Sequence, residues 1–306
     1  MKTVCNACPR ACGVDRQATK GFCGVPAEIR VARADLHPWE EPSISGQKGS
    51  GTVFFCGCNL RCVYCQNRRI SGGEQEGVAL SPAQLERLFF SLRDQGAANI
   101  NLVTPTHYVN QLIPILQKVR GRLGIPVVYN CGGYESVEAL KKLRGLIDVY
   151  LPDCKYHSSE LSLAYSSAPN YFSVAMAALE EMLLQVGEPT FNESGLLQKG
   201  VILRHLVLPG CREDSKKLLR ALFERFGNRA FLLSLMSQYT PDFAPADAPK
   251  NLRRRLTSFE YDEVLNTASE LGFNGYLQAR GSAVSHYTPS FGEEDLTSLL
   301  QNARET

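Results

Sequence analysis

The chain of 306 residues is long enough for one α/β barrel-like domain or two smaller domains. Its 44% hydrophobic and 21% charged content is ordinary for a globular protein, and a net charge of +2 supplies no global pull toward nucleic acid or a membrane surface. No apolar run of about 18 residues occurs and the start lacks a signal-peptide core, so no membrane span and a cytoplasmic location are expected.

Cysteine usage is the first departure from the ordinary. Eleven cysteines, an odd number with several short spacings, point to metal binding rather than a disulfide framework in a reducing compartment. Residues 1–25 form a Cys-rich extension, Cys5-x2-Cys8-x3-Cys12-x10-Cys23, in which Pro9, Gly13, Gly21 and Gly24 let the backbone wrap tightly. Four thiols make a complete coordination set, suited to an auxiliary iron–sulfur cluster or to zinc; redox or unliganded thiols are the plainer alternative. Residues 26–50 read as a linker with one extended piece, Ile29–Arg33. Pro38 and Pro42 bar a helix interior, and Trp39 with Glu40 and Glu41 is expected to cover the barrel or line its mouth.

Residues 51–240 alternate strand and helix. The apolar run Thr52–Phe55 delivers a cysteine loop. Ser81-Pro82-x-Gln84 is a capping-box start for a helix with Leu85, Leu88, Phe89 and Leu92 on one face. Strands follow at Asn99–Val103, Ile125–Tyr129, Ile147–Leu151, Val201–Leu208 and Ala230–Leu235, separated by apolar residues at helical spacing. Six strands joined by helices imply a parallel sheet, here a partial (β/α)6 barrel with chemistry at the carboxyl ends of the strands. Residues 241–306 supply a last helix around Tyr261–Leu271, a short strand near 275–278 and a surface extension. Arg253–Arg255 is too short a run to argue nucleic-acid binding.

The sharpest motif is Cys58-x3-Cys62-x2-Cys65. Three soft thiols on a loop leaving a strand suit iron–sulfur, zinc or copper(I), and three protein ligands leave a coordination position open for chemistry. A zinc knuckle or three buried cysteines are the bland alternatives.

With Tyr64 before its last cysteine, this motif resembles the signature of the radical S-adenosylmethionine (SAM) superfamily. Phe54–Asn67, Asn101–His107, Leu151–Lys155 and Arg204–Pro209 bring the resemblance nearest to the pyruvate formate-lyase activating enzymes. The resemblance implies a 4Fe-4S cluster on Cys58, Cys62 and Cys65, with SAM on the open iron. It also implies reductive cleavage to a 5′-deoxyadenosyl radical and hydrogen-atom abstraction. Thr104-Pro105-Thr106-His107 stands where the activating enzymes carry Gly-Gly-Glu, so Thr104 and Thr106 are the candidate contacts there, without a carboxylate. Asp153 and Lys155 match Asp-x-Lys, and imply a lysine on the SAM carboxylate with an aspartate at the ribose; a surface ion pair is the alternative. Asn130 and Arg204 occupy analogous strand ends. Because a strand alternates faces, only one of Arg204 and His205 can point inward. Cys131, Cys154 and Cys211 each follow a strand, and Cys154 is the candidate catalytic thiol. The implied partners are a one-electron donor such as flavodoxin or ferredoxin, and a protein or peptide substrate, as for a glycyl-radical-enzyme activase. Modification of a peptide or small molecule, or a non-catalytic iron–sulfur or zinc protein, are the competing readings.

Overall fold

The computed structural model describes residues 4–277; the predicted surface extension beyond them lies outside the described residues. In chain order the strands are β1 (Arg30–His37), β2 (Ser50–Phe55), β3 (Val78–Ala79), β4 (Ile100–Val103), β5 (Val127–Cys131), β6 (Val149–Pro152), β7 (Thr190–Phe191), β8 (Leu197–Leu206), β9 (Leu232–Met236) and β10 (Gly275–Leu277). The helices are α1 (Pro42–Ser45), α2 (Arg68–Ser71), α3 (Pro82–Asp94), α4 (Val109–Leu123), α5 (Val137–Lys142), α6 (Ser159–Ser166), α7 (Tyr171–Val186), α8 (Arg212–Phe226) and α9 (Ser258–Glu270).

β2, β4, β5, β6, β8, β9 and β10 pair in parallel and lie side by side in chain order. That succession is the partial barrel expected from the strand–helix alternation, lengthened by the short strand β10. Every residue of β2, β4, β5 and β6 is buried, as in parallel sheets covered on both faces. The capping box that opens α3 is present: the Ser81 hydroxyl accepts from the Gln84 amide and the Ser81 amide donates to Gln84 Oε1. Behind the sheet, Leu85, Leu88 and Phe89 of α3 and Leu112, Ile115 and Leu116 of α4 join the main core.

The segment expected as a linker is built into the sheet. β1 pairs antiparallel with both β2 and β3, and so extends one edge beyond the parallel strands. The chain after β1 then turns into the barrel. Ile44 of α1 is fully buried against Val128, Val149, Leu151, Leu197 and Ile202, which form a second core inside the sheet's curve. Full burial of such a side chain is worth about 2–3 kcal/mol. Asn99 holds the plug, donating from Nδ2 to the Ile44 carbonyl at 2.7 Å while its Oδ1 accepts from Ser50. The two prolines that exclude a long helix here permit the one-turn helix α1, with Pro42 in its first turn.

Candidate active site and cluster-binding loop

β2 ends at Phe55, and the cysteine loop leaves the barrel's carboxyl end. Arg61 sits in it with φ 53°, in the left-handed region, which turns the chain between Cys58 and Cys62. Donors reach every sulfur: Cys58 takes the Leu60 amide at 3.3 Å, Cys62 the Ser166 hydroxyl at 2.9 Å, and Cys65 the Ser71 hydroxyl at 3.5 Å. The Ser166 hydroxyl continues through Tyr156 to Tyr64, with O···O distances of 2.8 and 2.6 Å. These residues belong to a cluster of buried tyrosines, 64, 134, 156, 165, 171 and 239, that backs the loop. Burial, with the neighbouring thiols adding to it, pushes the Cys58 thiol up to about 12.

The three cysteines line a cavity of about 1160 Å³ together with Glu40, Thr104, Asn130, Asp153, Lys155 and Arg204. Alternation along the strands decides who faces it. Beyond β6, Asp153 and Lys155 face in while Cys154 faces the helix layer, where it is 2% exposed and packs in the main core. On β8, Arg204 faces in; His205 faces out, bonded to Ser215 of α8 and to the Cys154 carbonyl. The candidate thiol is therefore corrected: of Cys131, Cys154 and Cys211, only Cys131 lines the cavity.

The inward side chains form one charged network. Lys155 Nζ donates to Asp153 Oδ2 at 2.5 Å, and Arg204 Nε donates to Asp153 Oδ1 at 3.0 Å. Arg204 also donates to Asn130 Oδ1 at 2.7 Å and to Glu40 at 3.4 Å. Burial alone would raise the Asp153 carboxyl, but Lys155 and Arg204 together hold it below the usual carboxylate range. Lys155 also lies in the field of Cys62 and Cys65, so its charge reaches the thiol loop. Burial, aided by Glu41 and against the attraction of Arg204, pushes Glu40 up to about 7. Of the two roles the sequence left open for Glu40, covering the barrel or lining its mouth, the structure places it in the cavity lining, against Arg204.

Thr104 lines the cavity with φ 60°, its amide bonded to the Asn130 carbonyl. Thr106 does not line it: its hydroxyl donates to Glu135 Oε1 at 2.7 Å. The implied role of Thr106 as a cofactor contact is thereby corrected to an internal one. His107 is likewise internal, held to the Cys56 carbonyl, with burial pushing it down to about 3. Glu135, which no local pattern marked, also accepts from Tyr129, and its burial raises it to about 7.

This last group carries a pH prediction. A carboxyl raised from 4.5 to about 7 in the folded state binds its proton more tightly there than when unfolded. Stability contributed by the protonated form is therefore full below about 4.5 and is lost as pH rises through about 7, by roughly 3 kcal/mol. Glu135→Gln should flatten the fall in urea midpoint between pH 5 and 7.5; an unchanged pH slope would contradict the assignment.

Against known proteins, the model of the radical SAM superfamily matches residues 52–192. The uncharacterized protein MJ0674 of Methanocaldococcus jannaschii is 30% identical over 275 residues, covering 87% of this chain and 74% of that one. Among solved structures, methylornithine synthase superposes with a TM-score of 0.50 at 15% identity, over 81% of this chain and 78% of that one. A maturase of the [FeFe]-hydrogenase, HydG, gives 0.50 at 17%, over 73% of this chain and half of its own length. Both structural likenesses concern the fold.

Proposed function

The chain belongs to the radical SAM superfamily, and from that premise we propose an enzyme that cleaves SAM reductively and takes a hydrogen atom from its substrate. In this reading a 4Fe-4S cluster is held by Cys58, Cys62 and Cys65. The observation that carries it is that the thiol loop and the Lys155–Asp153–Arg204–Glu40 network line one cavity. The residues fit the group. Three soft thiolates leave one iron for a ligand from the cavity side. Gly132 keeps the space beside them open, since a Cβ there would stand 2.7 Å from Leu60 Cδ1 and 3.8 Å from Lys155 Cε.

Held by Cys58, Cys62 and Cys65, the cluster would supply the one electron for reductive cleavage of SAM, and the cleavage the means of hydrogen-atom abstraction. The chain's own part is placement. Lys155 spends one N–H on Asp153 and offers its others to the SAM carboxylate. Thr104 presents a hydroxyl and a carbonyl toward an ammonium. Asp153 retains lone pairs for a ribose hydroxyl, while Asn130 and Arg204 hold it in register. The serine hydroxyls on Cys62 and Cys65 offset thiolate charge, and the tyrosine cluster keeps water from the loop. An activating-enzyme-like role, with a polypeptide segment as substrate and a flavodoxin or ferredoxin as donor, is the finer reading. Supporting it are the sequence resemblance and a cavity bordered by Trp39, 58% exposed, and Phe243.

The test is spectroscopic. Anaerobically reconstituted, dithionite-reduced protein should show an EPR signal that changes on adding SAM, and the change should weaken in Lys155→Ala. A cluster signal indifferent to SAM would overturn the reading.

A further inference from the structure

The N-terminal thiols have no part in that reading. We propose that Cys5, Cys8, Cys12 and Cys23 hold a second iron–sulfur cluster, fully ligated by protein and seated against the loop that carries the first.

Residues 4–24 have almost no secondary structure to hold them: a single isolated bridge, Val4 with Asp15, and a few turn bonds such as Cys5 N–H to Val14 O at 2.9 Å and Ala11 N–H to Cys8 O at 3.0 Å. A stretch so poor in regular structure needs a staple, and no disulfide supplies it, since all four cysteines are free. Backbone bonds nevertheless fold the four thiols into one small loop: the Cys5 carbonyl accepts from the Gly13 amide beside Cys12 at 3.2 Å, and the Gly21 carbonyl from the Gly24 amide beside Cys23 at 3.0 Å. The Phe22 amide donates to Cys12 Sγ at 3.4 Å, and a Cβ on Gly21 would stand 3.3 Å from the same sulfur. Backbone amides on sulfur are a feature of iron–sulfur sites.

The choice of cluster over zinc rests on place: through the Cys58 amide on the Cys23 carbonyl, this thiol set is bonded directly to the loop proposed to hold the first cluster.

The loop is docked, not loose. Arg10 donates from Nε to the Asn59 carbonyl and from Nη2 to the Ser166 carbonyl, both at 2.8 Å, and stacks 3.8 Å from the centre of the Phe22 ring. Arg16 reaches the carbonyls of Pro26 and His107. The Cys58 amide donates to the Cys23 carbonyl at 3.3 Å, so one ligand-bearing loop is bonded directly to the other. Gly57 permits this approach: a Cβ there would lie 2.8 Å from that same carbonyl oxygen.

The experiment counts iron, acid-labile sulfide and zinc in the anaerobically reconstituted full chain. The unmutated protein should carry about eight irons and Cys5→Ala/Cys12→Ala about four. The complementary variant, Cys58→Ala/Cys62→Ala/Cys65→Ala, should keep about four irons and a reduced EPR signal that SAM leaves unchanged. Iron lost entirely from this triple variant, a full iron load in the N-terminal variant, or stoichiometric zinc in place of the second cluster would each overturn the proposal. Iron retained in the triple variant beside an unmutated protein that fails to cleave SAM would sustain the second cluster while removing the proposed function.

Discussion

Cys62→Ala is expected to bring 5′-deoxyadenosine formation down to the level of the protein-free control. Two thiolates cannot hold a cubane with one open corner, and Cys62 is tied into the protein by a side-chain network. Its sulfur takes the Ser166 hydroxyl at 2.9 Å, and through it the Tyr156–Tyr64 pair. The conservative partner change, Ser166→Ala, removes that hydrogen bond together with the one between Ser166 and Tyr156 and leaves all three thiols in place. It should leave the iron content in place while shifting the cluster's reduction potential, because hydrogen bonds to sulfur are among the groups that set it. Cleavage surviving in Cys62→Ala would mean that the loop is not the cluster site.

Asp153→Ala is expected to lower folding stability by about 3–5 kcal/mol, since it leaves charged partners buried without their counter-charge. Both oxygens of Asp153 are engaged, one by Lys155 and one by Arg204, and all three side chains are only 17% exposed. Its removal would set two cations facing each other across the cavity, with Glu40 the remaining acid against Arg204. Urea unfolding of the cluster-free protein reads the loss. Asp153→Asn, which keeps the shape and one acceptor, should fall between; a wild-type midpoint in both variants would show that the network is not structural.

Much of this was legible in the residues. The buried runs of β4, β5 and β6 each stop at a loop bearing unusual polar groups, and the alternation of a strand separates Arg204 from His205 correctly. The same parity, applied from Asp153 through Lys155, assigns Cys154 to the helix side, so a signal for that correction was present. Glu40 was harder. Its segment carries two prolines and no periodicity, and only the plug formed by Ile44 turns the carboxylate inward, a tertiary fact without a local signature. Glu135 hides for a related reason: its partners Thr106 and Tyr129 come from a neighbouring loop and strand. Thr106 looked available because a hydroxyl at a strand end can serve a ligand or a neighbour equally well, and the neighbour here is buried beside it. Strand β1 was underestimated because antiparallel pairing with β2 lengthens it past the apolar piece to His37.

The measurement closest to the central claim is the release of 5′-deoxyadenosine and methionine when the anaerobically reconstituted protein receives SAM and a one-electron reductant. Release that requires the reductant and scales with protein is the predicted result. An intact, reducible cluster on Cys58, Cys62 and Cys65 with no 5′-deoxyadenosine above the protein-free control would contradict it.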